Sequence, residues 1–251
     1  MQKLDLDYIN DAFRRHEKVA FHFSGGRDST AALYAMHDYW DRMAVYHVDT
    51  CDQFPETAAV VDEVERDIGK LIRIKSDVNE VRQQFGMPSD IVPVDNQDGL
   101  GRAVSGRELR LIPRYECCAR TLMVPMHQRM TADGITLIVR GQRDSEFTNP
   151  LARSGYRDGN YELMFPIQEW TDQEVMSYLK GNELPLAPYY DAGMRQAPEC
   201  IGCTAWWGEG RLKYLSEHHP LEHMRAAGWM RQVKEEIDRQ YKSMESTYFE
   251  V

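Results

Sequence analysis

The chain has 251 residues, of which 42% are hydrophobic and 28% charged, and its formal net charge is −10. This length can bury a full α/β core, and the balanced composition excludes a disordered or low-complexity protein. The negative charge disfavours broad binding to nucleic acid, which normally needs clustered Lys and Arg, although a local basic patch remains compatible with such a partner. No run reaches the roughly 18 apolar residues of a membrane span, and the N-terminal segment lacks the apolar centre of a signal peptide. We therefore expect a cytoplasmic protein without membrane segments.

The first fifty residues have the pattern of a β-α-β unit. Helical spacing covers residues 4–16, and KVAFHF at 18–23 is typical of a short buried strand. After the turn SGGRDS, a helix is predicted over 30–40 and a second strand over 43–49.

The alternation of helix and strand continues along the chain. Beyond the first unit we predict helices over 56–69, 78–85 and 117–130, strands over 71–75 and 135–141, and a loop-rich stretch over 86–116. Strands that alternate with helices indicate a parallel sheet flanked by helices, of the Rossmann-like α/β class. Ligands of such sheets bind beyond the carboxyl ends of the strands, so the residues after Phe23, Val48 and Val139 should converge on one site.

The last third of the chain is predicted to be mainly helical. WTDQEVMSYL at 170–179 has the capping-box pattern, with Thr171 as N-cap and Glu174 three residues later. Two helices are expected after Gly210. We predict a nucleotide-binding domain over 1–205 and a helical C-terminal extension over 206–251.

The segment FSGGRDST at 23–30 places a small-residue turn between a strand and a helix. Glycines let backbone N–H groups approach an anion, serine hydroxyls add donors, and a helix N-terminus carries partial positive charge. Two glycines alone would indicate only a tight turn, but the complete pattern favours a phosphate site. It fits neither the Walker nor the dinucleotide spacing, and it resembles the SGGxDS loop of PP-loop ATP pyrophosphatases. The predicted phosphate-binding residues are Ser24, Gly25, Gly26, Asp28, Ser29 and Thr30.

HVDTCDQFPET at 47–57 resembles the DTGxxFPET segment of the phosphoadenylyl sulfate reductase family. The resemblance implies that Asp49 and Thr50 contact the nucleotide. Cys51 stands where that family usually has Gly, which places a thiol near the expected nucleotide. A small buried side chain is the simpler interpretation of Cys51, and a catalytic nucleophile is the alternative.

VRGQRDSEFTNPLARSG at 139–155 is similar to another segment of that family, G-x-R-x-x-x-S followed by a later arginine. Arg143 and Arg153 are therefore predicted to bind phosphate or sulfate, for which the planar guanidinium offers paired donors. The alternative is that both are surface arginines of a loop.

Four of the five cysteines form two pairs: Cys117 with Cys118, and Cys200 with Cys203. In a reducing compartment they are better interpreted as metal ligands or reactive thiols than as disulfides. Four thiolates can hold a [4Fe–4S] cluster or a Zn²⁺ ion, and spacing alone does not distinguish them. The CC…CxxC order resembles the ligand set of iron–sulfur sulfonucleotide reductases, which implies the cluster.

The resemblance to the phosphoadenylyl sulfate reductase family covers about residues 18–205, and two departures from it bear on the reaction. Reductases of that family attack sulfur with a cysteine near the C-terminus, in a segment like ECGLH, and no cysteine follows Cys203 here. The intact SGGRDS loop instead resembles relatives that cleave ATP. We therefore expect ATP, bound with Mg²⁺, to be converted to AMP and pyrophosphate so that an acceptor is activated for sulfur transfer. Asp28, Arg143 and Cys51 are the candidate catalytic residues.

Two other functions remain open on the sequence. One is a reductase of adenylyl sulfate or its 3′-phosphate that uses a non-standard thiol, and the other is a nucleotide-binding regulatory module. If the protein cleaves ATP to prepare an acceptor for sulfur transfer, a sulfur-donor protein is an expected partner. We also expect a homo-oligomer.

Overall fold

The computed structural model describes residues 4–91, 99–106, 109–146, 148–150, 152–196, 199–208 and 210–249. It divides into two compact units, each built from separate stretches of the chain. Unit 1 comprises residues 1–49, 55–74 and 125–190, and unit 2 comprises residues 50–54, 75–124 and 191–251. The predicted division at residue 205 is a different partition, and it remains a prediction.

The strands and helices are numbered in chain order. The strands are β1 (Val19–His22), β2 (Met43–Asp49), β3 (Ile72–Lys75), β4 (Met87–Ser89), β5 (Leu111–Pro113), β6 (Leu137–Arg140), β7 (Arg157–Asp158) and β8 (Tyr161–Met164). The helices are α1 (Leu6–Arg15), α2 (Arg27–Ala35), α3 (Pro55–Ile68), α4 (Val78–Phe85), α5 (Gly99–Ser105), α6 (Arg114–Cys118), α7 (Val124–Asp133), α8 (Asp172–Gly181), α9 (Arg211–His218) and α10 (Pro220–Tyr248). None of these described helices has both the length and the apolar character needed to cross a membrane.

The main sheet has the order β3-β2-β1-β6-β8-β7 within the described residues. β1 pairs in parallel with both β2 and β6, and β6 pairs in parallel with β8. β7, at the edge, runs antiparallel to its neighbour β8. The predicted α/β fold with a mostly parallel sheet is confirmed.

The strand order explains why a site forms after β1 and β6. The chain leaves β1 through α2 toward β2 on one side, whereas β6 lies on the other side of β1. The strand order therefore reverses between β1 and β6, and ligands of open parallel sheets commonly bind at the carboxyl ends of strands at such a position. The turn after β1 and the turn after β6 both begin there.

Several elements differ from the sequence prediction. The stretch 86–116, predicted as loop, contains β4, α5 and β5, and β4 pairs in parallel with β5 as a second small sheet of unit 2. The predicted helix over 117–130 is divided by a π-helical segment, Ala119–Met123. The short strands β7 and β8 were not predicted. The capping box at Thr171 and Glu174 is present in full.

A buried carboxylate attaches α1 to the sheet of unit 1. Arg15 donates two hydrogen bonds, of 2.5 and 2.7 Å, to Glu162 on β8, whose side chain is only 4% exposed. His16 lies 3.1 Å from the same carboxylate. The hydrogen bond from Arg15 is the main reason that the pKa of Glu162 falls from 4.5 to about 2.

Replacing Glu162 by Gln should therefore lower the free energy of unfolding by about 3 kcal/mol near neutral pH, because the Arg15 guanidinium loses its buried anionic partner. A depressed carboxylate pKa stabilises the fold above the unfolded-state value and loses that effect as pH falls through the folded-state value. The difference between wild type and Glu162→Gln should thus shrink as pH falls from 4.5 toward 2, as measured by urea denaturation.

The exposed pair of Asp62 and Arg73 is the matched control, because Asp62 is 63% exposed. Asp62→Asn should change stability by less than about 1 kcal/mol. Equal effects of the two substitutions would contradict the role of the buried pair.

Candidate functional site

The turn after β1 is held in shape by its own hydroxyl groups. Ser24 Oγ accepts a hydrogen bond from the Gly26 N–H at 3.2 Å and lies 3.0 Å from Ser29 Oγ. Ser29 and Thr30 both donate from their hydroxyls to the carbonyl oxygen of Gly26, at 2.9 and 3.0 Å. The six predicted phosphate-binding residues therefore form one ordered turn at the start of α2.

This turn forms the N-terminus of α2. Gly26 is the N-cap residue, and it has no side chain that could accept a hydrogen bond from the first turn. The N–H groups at a helix N-terminus carry partial positive charge and bind anions. Gly25 has φ +83°, and a Cβ at that position would lie 2.8 Å from Thr57 Cγ2, so a side chain is excluded.

Two tyrosines that the sequence analysis did not single out lie against this turn. Tyr190 Oη accepts a hydrogen bond from the Arg27 N–H at 3.1 Å, and the Arg27 guanidinium stands over the Tyr190 ring. Tyr189 Oη lies 2.9 Å from the Thr57 hydroxyl in the buried interior. Both tyrosines follow a proline-rich connection whose pattern carries no periodicity, so no sequence signal placed them here.

The turn after β6 approaches α2 closely. A Cβ on Gly141 would lie 2.5 Å from the carbonyl oxygen of Asp28, which is closer than any side chain tolerates. Two residues later, Arg143 Nε lies 2.8 Å from the Asp28 carboxylate. The residues after Phe23 and after Val139 therefore converge, as predicted, whereas the expected convergence of the residues after Val48 on the same site stays a prediction.

Arg143 is buried, with only 2% of its side chain exposed, and the protein itself surrounds its guanidinium. It donates to Asp172 at 2.6 Å, to Ser145 at 2.8 Å and to the Trp170 carbonyl at 3.2 Å. Arg27 also donates to Asp172, at 2.9 Å. The predicted anion-binding arginine thus connects the first turns of α2 and α8.

The two carboxylates around Arg143 respond differently to it. Burial raises the pKa of Asp28 above its ordinary value, although Arg143 and Arg27 oppose the rise. Burial acts in the same direction on Asp172, but the hydrogen bond from Arg143 and the charge of Arg27 outweigh it and lower its pKa. Asp172 is therefore the more firmly ionised partner of Arg143.

The remaining predicted nucleotide contacts have diverse surroundings. Arg153 is 68% exposed and pairs with Asp144 at 3.0 Å. Asp49 is half-buried at the end of β2. Thr50, in unit 2, is fully buried and donates its hydroxyl to the Glu199 carbonyl at 3.3 Å. Their contact with a nucleotide remains a prediction.

Cys51 is exposed, so the expectation that it is a small buried side chain is wrong. Its φ of +59° lies in the left-handed region, which non-glycine residues seldom adopt. The family's usual Gly at this position would take that conformation without cost.

The structure places Cys117, Cys118, Cys200 and Cys203 together in unit 2. Cys203 interacts electrostatically with each of the other three thiols. Cys117 belongs to a small apolar core with Val78 and Ile112, against which Cys200 packs. Burial raises the pKa of Cys117 and Cys200, and that of Cys118 to about 12, because a thiolate is penalised away from water.

The surroundings of these thiols suit an anionic sulfur-rich group. Arg82 and Arg211 are buried and act electrostatically on the cysteines, and in the described part of the chain their Nε atoms have no hydrogen-bond partner. No three His, Cys, Asp or Glu side chains in that part are already drawn together as around a single ion. The donor set, four thiols with two buried guanidinium groups beside them, fits a metal–thiolate group of either kind considered from the sequence, a [4Fe–4S] cluster or Zn²⁺.

Asp52 organises the backbone beside the second cysteine pair, and the sequence analysis missed it. Its carboxylate is 1% exposed and accepts from the Gly202 N–H at 3.1 Å and from Arg82 at 2.9 Å. Its carbonyl accepts from the Ile201 N–H at 2.6 Å. It occupies a variable position of DTGxxFPET, and its partners are remote in sequence, so no local pattern could reveal it.

Comparison with known proteins places this site in a family. Residues 18–206 match the phosphoadenosine phosphosulfate reductase domain. The chain belongs to this family. The matched range contains the SGGRDS turn, the Asp49–Thr57 segment, the turn after β6 and all four paired cysteines, so the resemblance drawn from the motifs is confirmed.

Individual relatives agree with the family assignment. The adenosine 5′-phosphosulfate reductase of Rhodococcus erythropolis is 26% identical over 163 residues, which are 64% of this chain and 58% of the relative. The chain thus spans less than two thirds of that relative's length. The phosphoadenylyl-sulfate reductase of Candida auris, solved as a phosphate complex, has a similar fold, with a TM-score of 0.53 and 15% identity over 76% of this chain and 86% of that one.

The close approach of β6 to α2 gives a direct test of the site's architecture. Gly141→Ala should lower the free energy of unfolding by about 2 kcal/mol, because the new Cβ meets backbone atoms that cannot move independently. Circular dichroism during urea denaturation measures the change.

Gly181→Ala is the matched control, since a Cβ at Gly181, the last residue of α8, meets nothing within 4 Å. That variant should be as stable as wild type or slightly more so. An equally stable Gly141→Ala variant would contradict the packing described after β6.

Proposed function

We propose that the chain binds ATP with Mg²⁺ at the carboxyl ends of β1 and β6 and cleaves it to AMP and pyrophosphate, which activates an acceptor for sulfur transfer. In this proposal the four paired cysteines hold a [4Fe–4S] cluster. A sulfur-donor protein as partner and assembly into a homo-oligomer belong to the same proposal.

The observation that carries the nucleotide proposal is the N-terminus of α2 at the SGGRDS turn, where the N-cap residue Gly26 has no side chain to occupy the backbone donors. Three features make it suited to bind the β- and γ-phosphates: the helix dipole, Gly25 at a position where no side chain fits, and the neighbouring hydroxyl groups of Ser24 and Ser29. Ser24 and Ser29 already share a hydrogen bond there. An arriving phosphate would meet donors in fixed positions, which need little reorganisation.

The chemistry follows from where charge develops. An acceptor oxygen attacks the α-phosphorus, the bond between the α-phosphorus and the α–β bridging oxygen breaks, and pyrophosphate leaves with the electron pair while the acceptor proton passes to solvent. Pyrophosphate gains negative charge in this step; the backbone N–H groups at the α2 N-terminus would stabilise it, and bound Mg²⁺ would supply additional positive charge. A sulfur donor then displaces AMP from the activated acceptor.

The ionic contacts of Arg143 favour supporting roles for Arg143 and Asp28 in this reaction. Arg143 fixes Asp28 at the start of α2 and Asp172 at the start of α8. The turn therefore keeps its shape before the nucleotide arrives. We propose that the arginine acts chiefly by holding the turn, and that Asp28, whose carboxylate is 26% exposed, faces the Mg²⁺-bound phosphates.

The four cysteines would hold the cluster in unit 2. When bound, a [4Fe–4S] cluster supplies one-electron redox chemistry. The buried guanidinium groups of Arg82 and Arg211 would offset the negative charge of the cluster, because both interact electrostatically with Cys200.

A reductase of adenylyl sulfate or its 3′-phosphate is the second candidate. It is favoured by the name of the Rhodococcus erythropolis relative and by the exposed thiol of Cys51. A reductase needs a thiolate that can reach the sulfur, and the four paired cysteines would be ligated. Cys51 is the remaining cysteine of the 251 residues.

Product analysis distinguishes the two candidates. Anaerobically purified protein incubated with ATP and Mg²⁺ should release pyrophosphate when its acceptor is present, and AMP when a sulfur donor is also present. It should release no sulfite from adenylyl sulfate or its 3′-phosphate with a dithiol reductant. Sulfite release that Cys51→Ser abolishes would establish the reductase and overturn the proposal.

Gly26→Val supplies the matched inactive variant for that assay. A Cβ at Gly26 lies 3.3 Å from Ser24 Oγ, and the branched methyl groups of valine would occupy the phosphate position. Calorimetry should detect no ATP binding to Gly26→Val, while its circular dichroism spectrum stays that of wild type. Unchanged ATP affinity would show that the phosphates bind elsewhere.

The cluster is tested by metal content. Anaerobically purified protein should contain about four irons per chain and absorb broadly in the visible range. Cys203→Ser should lose most of this iron, whereas Cys51→Ser should retain it, because Cys51 is exposed and outside the four-cysteine group. Stoichiometric zinc without iron, or equal iron in both variants, would contradict the assignment.

A further inference from the structure

The segment that carries Cys200 and Cys203 rests on residues 50–52 through a set of hydrogen bonds inside unit 2. Thr50 donates its hydroxyl to the Glu199 carbonyl, and the Asp52 carbonyl accepts the Ile201 N–H. The Asp52 carboxylate accepts the Gly202 N–H. These contacts hold the backbone on both sides of Cys200 and in front of Cys203.

Asp52 is the charged member of this set, and it is buried. Arg82 from α4 donates to one carboxylate oxygen at 2.9 Å, and Arg225 from α10 donates to the other at 2.5 Å. Arg82 is itself only 4% exposed. A carboxylate removed from water so completely is stable only with such partners, and removing it would leave the partners uncompensated.

The two arginines are held in turn by one aromatic side chain. Their guanidinium carbons stand 5.1 and 4.9 Å from the centre of the Trp229 ring. Cations over an indole face are attracted by its electron density, so Trp229 restricts where both arginines can lie. The Asp52 carboxylate therefore connects α4, α10 and the segment 199–202.

We propose that Asp52 is the positioning residue of the four-cysteine site. It acts by fixing the backbone from which Cys200 and Cys203 project. Arg82 links Asp52 to the charge at the thiols, because the guanidinium that pairs with Asp52 also acts electrostatically on Cys117 and Cys200. The inference rests on the proposed cluster for its ligand, but its structural part concerns the segment 199–203 alone.

The experiment compares Asp52→Ala, Asp52→Asn and wild type as full chains purified anaerobically. Two quantities are measured: amide hydrogen exchange of the segment 199–203, and the rate at which iron is lost to a chelator. Asp52→Ala should accelerate both by at least about tenfold, because the Gly202 N–H and two arginines lose their acceptor. Asp52→Asn keeps an oxygen for Gly202 but loses the charge, so it should accelerate iron loss more than exchange.

Glu162→Gln is the matched control, since it also removes a buried carboxylate paired with arginine, but in unit 1. It should leave exchange at 199–203 and iron retention as in wild type. Exchange that rises equally throughout the chain in Asp52→Ala would show a general structural role and overturn the proposal. If only Asp52→Asn folds, iron loss at the wild-type rate would overturn it.

The outcomes separate this inference from the proposed function. Wild-type protein without iron contradicts the cluster, and selective exchange at 199–203 in Asp52→Ala would then still establish that Asp52 positions the thiol pair. Iron-loaded wild type with unchanged exchange and iron loss in Asp52→Ala contradicts the role of Asp52 and leaves the cluster intact.

Discussion

A charge that is removed from water must be paired, and this constraint determines the shape of both candidate sites. In unit 1 the buried Arg143 guanidinium requires acceptors around it, and Asp28 and Asp172 supply them from the first turns of two helices. In unit 2 the buried Asp52 carboxylate requires donors, and Arg82, Arg225 and the Gly202 N–H supply them. The SGGRDS turn contacts the first of these two centres, and the second cysteine pair contacts the second.

The same constraint changes the role of residues that the motifs identify. An arginine in the segment after β6 looks suited to bind an external anion, yet Arg143 is occupied by carboxylates of its own chain. Thr50, which the family pattern associates with the nucleotide, uses its hydroxyl on the backbone at Glu199. Motifs identify which positions matter to a site, whereas the partners of each side chain decide what it does there.

The sequence predicted the parts of the fold that repeat locally. Apolar runs bounded by turns gave β1, β2, β3 and β6, and the capping box gave the start of α8. It did not predict β8, because Tyr161–Met164 alternates over only four residues and its place in the sheet comes from pairing with β6. Asp52 was missed for a related reason: Arg82, Gly202 and Arg225 are distant in sequence, and no local pattern records such a meeting. The four paired cysteines were predicted to lie together because four thiols in this pattern have few roles other than binding one metal group.

The division of the chain between the two units has a consequence for biosynthesis. The polypeptide passes from one unit to the other five times, after residues 49, 54, 74, 124 and 190. β1 cannot pair with its second neighbour until Leu137–Arg140 has been synthesised. Unit 1 ends at residue 190, so all its residues exist before residues 191–251 of unit 2 are made, whereas Asp52 can pair with Arg225 only once that later segment is present. Unit 1 can therefore fold first during synthesis, while residues 50–54 and 75–124 wait for the rest of unit 2.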